Sequence, residues 1–289
     1  MKLRAVPELV LLPVLSLLAV GARAGTIDFG TADPFAVLGE AGVTNTGPTI
    51  TFGSVAGSTG TPAVTGFPPG TVASGTLFLS GVLDAGPGTP FGDATTAYNN
   101  AQALSATPLS GVLGSGGSIP SLTPGVYSFS SAAQLTGTLL LDAGGSDNAS
   151  WTFLVGSSLT TASASSVEII DTGSTGPYTG SITWAVTSAA TLGTTTTFLG
   201  TIVSQAGSVL QTGATIGCGR VISLSASVTL DDNIVDADPA ACVVAGSPGG
   251  PITPPSSPVP EPVTFALLPS GLLALCALTF RKKTARQDA

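Results

Sequence analysis

Four aspartates late in the sequence are the residues whose type and spacing come nearest to a chemical site. Asp231, Asp232, Asp236 and Asp238 supply carboxylates, the hard ligands that Ca²⁺ prefers. Their spacing does not follow that of a known calcium loop, and Asn233 among them is typical of a residue that caps a turn. We therefore predict no metal site and no cofactor.

Histidine and interior lysine, on which many enzyme mechanisms depend, are missing from this sequence. The chain has no His, which excludes a Ser-His-Asp triad and a His-ligated metal. No Lys lies between Lys2 and Lys282, which excludes Schiff-base chemistry and a phosphate-binding P-loop. Trp151 and Trp184 lie in strand patterns typical of core residues, not of sugar platforms, and no carboxylates are marked as a glycosidase pair. We predict that the protein is not an enzyme.

Charge is scarce and unevenly placed. Only 8% of the 289 residues are charged, against about 25% in an ordinary globular chain. Between residues 25 and 245, Arg220 is the single basic residue beside thirteen carboxylates, a formal charge of −12. A surface with one cation cannot release the many counterions that phosphate binding requires, so nucleic-acid binding is excluded.

The first 24 residues have the pattern of a secretory signal peptide. Lys2 and Arg4 precede an apolar stretch over 9–20, and an A-x-A-like cleavage site ends at Ala24. The alternative is an uncleaved N-terminal membrane anchor. We expect a mature chain that begins at Gly25.

The other end of the chain has three parts in a fixed order. After a Pro/Gly/Ser linker at 246–258, the segment 259–289 contains an apolar run at 263–280 that is long enough to span a bilayer. The order of parts resembles the PEP-CTERM sorting signal of Gram-negative bacteria, which implies an exosortase-type processing enzyme, transient membrane association, and release to the cell surface or an exopolysaccharide-containing extracellular matrix. The alternative is a plain C-terminal anchor helix. The residues that carry the resemblance are Val259, Pro260, Glu261 and Pro262 before the run and Arg281, Lys282 and Lys283 after it.

Two cysteines, Cys218 and Cys242, lie between the predicted signal peptide and the Pro/Gly/Ser linker. In an exported protein a disulfide between them is expected, because such proteins fold in an oxidising compartment. The alternative, a metal site, is poorly supported by two isolated Cys without His.

A short three-residue unit recurs between residues 187 and 236. Residues 190–192, 208–210 and 228–230 repeat at intervals of 18 and 20 residues. Short β-prone runs at this period predict a β-solenoid, in which stacked coils bury what one coil cannot. One helix is predicted over 93–105, with Asp93 as N-cap and an Ala-rich stripe that includes Tyr98 packed on the solenoid.

Nine stretches of sequence lie at 36–47, 64–70, 95–99, 122–127, 135–139, 182–186, 191–194, 198–202 and 211–220. In this order they resemble the microbial ice-binding-protein-like domain. The resemblance implies a mostly β domain over 25–245, a discontinuous β-helix (β-solenoid) of triangular section with one α-helix alongside, in which N-terminal strands share a face with C-terminal ones. No regular Thr-x-Thr ladder runs through the coils.

A flat, rigid and weakly hydrated surface of Thr side chains is what adsorption to ice requires, because methyl groups and regularly spaced hydroxyls order water. We therefore predict an exported ice-binding, antifreeze-like protein that inhibits ice growth or recrystallisation. The alternative is a cell-surface or matrix structural protein, or adhesin, that uses the same fold without ice affinity. The candidate face comprises Thr44, Asn45, Thr46, Thr65, Thr191, Thr195, Thr197, Thr201, Thr212, Thr215 and Thr229.

Overall fold

Short parallel strands make up almost all regular structure in residues 25–58, 63–80, 86–173, 178–239 and 242, the residues that the computed structural model describes. The exceptions are a 3₁₀ turn, Gly30–Ala32, and one helix, α1, Pro90–Gln102. The strands are β1 Phe35–Gly39, β2 Val43–Asn45, β3 Ile50–Phe52, β4 Ser54–Gly57, β5 Val64–Thr65, β6 Thr71–Ser74, β7 Leu77–Phe78, β8 Thr107–Pro108, β9 Ser121–Leu122, β10 Gly125–Phe129, β11 Ala133–Leu135, β12 Thr138–Asp142, β13 Trp151–Val155, β14 Leu159–Thr161, β15 Ser166–Ile170, β16 Ile182–Val186, β17 Ala190–Leu192, β18 Thr197–Leu199, β19 Thr201–Ser204, β20 Ser208–Leu210, β21 Thr215–Gly217, β22 Val221–Ser223, β23 Val228–Leu230 and β24 Ile234–Asp236.

These strands form three parallel sheets that the chain visits in turn, as a β-solenoid requires. Sheet A has the order β7-β4-β1-β22-β19-β16-β13-β10-β8. Sheet B has the order β11-β14-β17-β20-β23-β2-β5, and sheet C the order β6-β3-β24-β21-β18-β15-β12-β9. Apolar side chains from all three sheets meet in one core.

The first coil of the chain stacks on the last one. Strands β1, β2 and β3 pair with β22, β23 and β24, and each pairing is parallel. The coil order is therefore non-sequential, as the family resemblance implies.

Aromatic rings fill the middle of the core. The Phe153 and Trp184 rings stack with centroids 3.8 Å apart, and Phe198 lies 5.0 Å from Trp184 on the other side. Trp151 and Trp184 are fully buried, and their indole N–H groups donate to the carbonyls of Leu122 and Leu199. The core positions predicted for both tryptophans are confirmed.

Helix α1 begins three residues earlier than predicted. Thr89, not Asp93, is the N-cap, because its hydroxyl accepts a hydrogen bond from the amide of Gly92 at 3.3 Å and Pro90 follows at the first helical position. Asp93 lies in the first turn and accepts hydrogen bonds from Thr31 instead. The buried stripe is as predicted, and the hydroxyl of Tyr98 donates to Thr187 at 3.3 Å.

Cys218 and Cys242 form a disulfide, with their Cα atoms 4.7 Å apart. No helix within the described ranges is long and apolar enough to cross a membrane. The predicted signal peptide, the linker, the sorting signal and its apolar run at 263–280 all lie outside the described residues.

Candidate functional site

Each strand of sheet B has one residue whose side chain points out of the solenoid. In β2, β11, β14, β17, β20 and β23 the first and third side chains are buried and the second is exposed or half-exposed. This alternation follows from the pleat, which sends successive side chains to opposite faces. The pairing register places the central residues of neighbouring strands opposite one another. They form the sheet B row: Gln134, Thr160, Thr191, Val209, Thr229, Thr44 and Thr65.

The positions two residues before this row contain only alanine, serine and glycine. Backbone hydrogen bonds connect them from coil to coil, as from the amide of Leu159 to the carbonyl of Ala189. Neither set of positions includes a charged side chain, so sheet B presents a flat, uncharged strip. The small residues are Ala132, Ser158, Ala189, Gly207, Ser227, Gly42 and Ala63.

The threonine hydroxyls of the row are available to water. Among the described residues, the hydroxyls of Thr44, Thr160, Thr191 and Thr229 have no protein hydrogen-bond partner, and that of Thr65 has a long one, the Val43 carbonyl at 3.5 Å. Strand spacing sets the repeat of methyl and hydroxyl groups at about 4.8 Å, so the seven positions extend over roughly 29 Å. Such an array can order water, and none of its seven side chains is a carboxylate, an imidazole, a thiol or an amine.

A buried polar cluster lies at the corner where the chain passes from sheet A to sheet B. Ser204, Ser208 and Ser223, at the corner with sheet A, are all fully buried. The Ser204 and Ser208 hydroxyls are 2.9 Å apart, and Ser223 donates to Ser208 at 3.1 Å. Because an unpaired buried hydroxyl is costly, this set of bonds holds the coils in one register.

Asn45 is the last residue of β2, and it lies at the corner between sheets B and C with its side chain buried. It is 4% exposed, and its side-chain amide donates to the carbonyls of Gly47 at 2.7 Å and Gly66 at 2.8 Å. Its oxygen accepts from the hydroxyl of Thr49 at 2.6 Å. The surface position predicted for Asn45 is therefore wrong, because corner carbonyls that point inward need its donors.

Six predicted threonines lie outside the sheet B row, and five of them are exposed or half-exposed. Thr46 and Thr212 are exposed at the corner between sheets B and C, where both hydroxyls donate to the carboxylate of Asp231. Thr195 is exposed at the same corner, in the coil before that of Thr212. Thr197 and Thr215 are paired neighbours on the outer surface of sheet C.

Thr201 is not on an exposed surface. It belongs to β19 of sheet A and is 5% exposed. The outer side of sheet A is covered, since Leu154 and Ala185 pack there against the buried stripe of helix α1. A groove beside Thr201 is lined by Phe29 of the N-terminal segment and by Arg220. The exposure predicted for Thr201 is wrong, because strand alternation gives the side of the sheet that a residue faces but not what covers that side.

Sheet C is exposed but carries charge. Glu168 and Asp236 lie at half-exposed outward positions of β15 and β24, and burial raises the pKa of Asp236. Carboxylates hold water in their own hydration geometry. Sheet B is therefore the exposed side of the solenoid whose described outward positions are free of charge.

The single interior cation has a structural role at the corner between sheets C and A. Arg220 contacts the carboxylate of Asp33 at 3.2 Å and donates to the carbonyls of Asp33 and Phe35. Its guanidinium lies 5.4 Å from the centre of the Phe29 ring. Burial raises the pKa of Asp33 more than Arg220 lowers it. Arg220 thus holds the N-terminal segment on the solenoid. No group of three or more metal-ligating side chains exists in the part of the chain that the structure describes.

Three members of the sheet B row were missed in the sequence, namely Gln134, Thr160 and Val209. Leu159-Thr160-Thr161 has the same apolar–polar spacing as Ala190-Thr191-Leu192 and could have indicated Thr160. The longer segment that joins these two coils interrupts the period. Val209 is not predicted, because a pattern of threonines does not mark a valine.

Comparison with known proteins agrees with this geometry. The family described as Ice-binding-like matches residues 37–236. An ice-binding protein of Nostoc sp. is 42% identical over 91% of this chain and 90% of its own. Another, of Flavobacterium frigoris, is 32% identical over 72% of this chain and 75% of its own.

Solved structures give the same assignment. An ice-binding protein from an Antarctic biological consortium has a TM-score of 0.64 and 34% identity, over 74% of this chain and 92% of its own. One from the Antarctic ascomycete Antarctomyces psychrotrophicus has a TM-score of 0.63 and 32% identity, over 73% of this chain and 98% of its own. These two solved proteins consist almost entirely of the part that matches this chain. On its fold, its sequence and its relatives, the chain belongs to the Ice-binding-like family.

Proposed function

We propose that this protein binds ice through the outer side of sheet B and so inhibits ice growth or recrystallisation. The observation that carries the proposal is the in-register, uncharged row from Gln134 to Thr65, with its unpaired hydroxyls and stiff methyl groups. The relatives, which are named as ice-binding proteins, support the same function. Adsorption requires no cofactor, no metal and no catalytic group, and we assign none.

Rigidity is what makes this row suitable. A surface that already holds its hydroxyls at fixed spacing loses little conformational freedom when it binds ordered water. Each threonine has a β-branched stem with a restricted χ1 angle, and the strands beneath are fixed by coil-to-coil hydrogen bonds and by the buried serines. The four predicted residues Thr44, Thr65, Thr191 and Thr229 lie in this row.

The test is an assay of thermal hysteresis and ice recrystallisation on purified Gly25–Pro258. We expect activity in this protein and its loss on Thr229→Tyr, because one bulky ring near the centre of a flat row keeps its neighbours from the ice. Asn100→Tyr, on the exposed side of helix α1, is the matched control and should retain activity. Absence of hysteresis and crystal shaping at high concentration would reject the proposal and favour the surface or matrix structural protein.

We propose in addition that the protein is exported from a Gram-negative bacterium and held briefly in the inner membrane before release. Support comes from the signal-like residues 1–24 and from the order of parts at 259–283. An exosortase-type enzyme and matrix exopolysaccharide are the partners that this pattern implies. Mass spectrometry of the protein from the native host tests it: termini near Gly25 and Pro260 are expected, and retention of 263–280 would contradict processing.

A further inference from the structure

The two ends of the solenoid differ in what covers them. At the end that β8, β9 and β11 form, the segment 109–120 lies against the last strand of sheet B. Leu113 in this segment is fully buried and bridges to both Ile119 and Leu135, so it occupies the free edge of β11. Pro108 in β8 removes a backbone donor from the edge of sheet A. The chain itself therefore blocks further strand pairing on sheet B at this end.

The opposite end, formed by the coil of residues 63–80, has free strand edges. Strands β5, β6 and β7 pair with β2, β3 and β4 on one side, and among the described residues no strand pairs with their other side. Such an edge is a template for pairing with another chain, and proteins usually block it with Lys, Pro or a covering segment. Residues 41–83 contain no charged side chain, and β5, β6 and β7 contain no proline. The sequence of these strands therefore does not protect their edge.

Apolar side chains are exposed at the same end. Among the described residues three large apolar side chains are exposed, and two of them, Phe78 at 37% and Leu79 at 50%, lie in this coil. Phe67, Val72 and Leu77 pack against the core but remain half-exposed. A solenoid that ends in water needs a terminal coil with a polar outer face. This end has the surface of an interface instead.

We propose that a second copy of this chain stacks on this end, with a two-fold axis that passes through sheet B. A two-fold interface is self-complementary, and both copies offer the same open end. Although residues 25–245 have a formal charge of −12, no carboxylate lies in 41–83, so the stacking does not bring like charges together. The coil of residues 63–80 comes close to the roughly 20–30 residues that each side of a stable interface contributes.

The position of the axis follows from where the apolar side chains lie. A two-fold axis through sheet B places the A–B corner of one copy against the B–C corner of the other. Leu79 lies at the A–B corner, where its carbonyl accepts the amide of Ala63. Phe67 and Pro68 lie at the B–C corner, between β5 and β6. The dimer therefore contains this apolar contact twice, whereas an axis through sheet A or sheet C would place one of these corners against the polar corner at 75–76.

In this dimer β5 pairs antiparallel with β5 of the second copy. The sheet B row then continues from Thr65 to Thr65 of the partner subunit. It lengthens from the seven positions of one chain to twice that number, or from roughly 29 Å to roughly 62 Å at strand spacing. The stacking itself does not depend on the proposed function, but the gain in ice-contacting length rests on it.

Sedimentation equilibrium of purified Gly25–Pro258 over a dilution series tests the stacking. We expect twice the mass of one chain, and the mass of one chain for Leu79→Asp, because that carboxylate would be buried against apolar side chains without a partner. Thr107→Asp, also exposed but on β8 at the other end, is the matched control and should remain a dimer. A monomer at every concentration of the unchanged protein, or a dimer of Leu79→Asp, would overturn the inference.

Thr65→Cys tests the position of the axis and does not depend on Leu79. Residues directly opposite each other in an antiparallel pair have Cβ atoms about 4.5–5.5 Å apart, within reach of a disulfide. Non-reducing electrophoresis should show a covalent dimer for Thr65→Cys and none for Gln134→Cys, at the covered end of the row. No covalent dimer of Thr65→Cys would contradict an axis through sheet B.

Thermal hysteresis separates the stacking from the proposed function. At equal chain concentration Leu79→Asp should show lower hysteresis than the unchanged protein and Thr107→Asp, because each of its particles presents half the row. Equal hysteresis of a monomeric Leu79→Asp would overturn the gain in ice-contacting length. A dimer without any hysteresis would support the stacking and reject the proposed function.

Discussion

Thr229 and Thr44 are direct partners in a parallel ladder of sheet B, although the first lies in the last coil of the solenoid and the second in the first. This contact joins Thr44 and Thr65 to the other five members of the sheet B row. The row is continuous only because the first coil docks on the last. The extent of the water-facing surface therefore depends on a contact between distant parts of the chain.

Val209→Thr should increase ice activity. Val209 is 39% exposed and interrupts the threonines of the sheet B row between Thr191 and Thr229. Val and Thr have nearly the same shape, so the change adds a hydroxyl in place of a methyl group and should alter the free energy of unfolding by less than about 0.5 kcal/mol. Thermal hysteresis measured against protein concentration checks this.

Val209→Ala is the control for that experiment, because it removes both γ-methyl groups without adding a hydroxyl. It should lower hysteresis. Equal activity of Val209→Thr and the unchanged protein would mean that this position contributes through its methyl groups alone.

Asn45→Ala should weaken the fold and leave ice binding intact. The change removes one buried hydrogen bond from each of the carbonyls of Gly47 and Gly66 and from the hydroxyl of Thr49, at a cost of about 1–3 kcal/mol in all. Thermal unfolding should show the loss, while hysteresis near 0 °C, far below Tm, should persist. Lost hysteresis at unchanged Tm would instead place Asn45 in contact with ice.

The positions of Asn45 and Thr160 show what sequence could and could not predict. Periodicity and family resemblance predicted the solenoid, the helix and four members of the row, since those signals are local. Asn45 stands beside Thr44 and Thr46 in a polar run, and only the corner carbonyls reveal that it points inward. Thr160 is not predicted, because the segment that leads from its coil to the next is longer than the repeat.

Removing the disulfide should destabilise the domain without affecting the sheet B row. The link closes a loop of 24 residues, for which chain entropy gives about 3 kcal/mol. Cys218 lies in the corner between sheets C and A, away from the sheet B row. Denaturant unfolding of Cys218→Ser/Cys242→Ser should show the decrease, and its hysteresis near 0 °C should equal that of the unchanged protein. Undiminished stability would mean that the bond does not form in solution.

Asp93→Ala should lower Tm at neutral pH but not in strong acid. The carboxylate accepts hydrogen bonds from the amide and hydroxyl of Thr31, at 2.9 and 2.7 Å, and from the amide of Gly88 at 3.1 Å. The bonds from Thr31 hold the pKa of Asp93 below its ordinary value of 3.8. A lowered pKa in the folded state means that ionised Asp93 stabilises the protein above pH 3.8, and that this contribution disappears as the pH falls through the lowered value.

Thermal unfolding of Asp93→Ala and the unchanged protein at pH 7 and about pH 2 measures this contribution. The two proteins should differ in Tm at pH 7 and converge in acid. The comparison isolates Asp93. Burial raises the pKa of Asp33 and Asp236, so their protonation changes stability in the direction opposite to that of Asp93. This change is the same in both proteins and does not alter the difference between them. A difference in Tm that stays constant with pH would assign the effect to packing at the start of helix α1, not to the carboxylate.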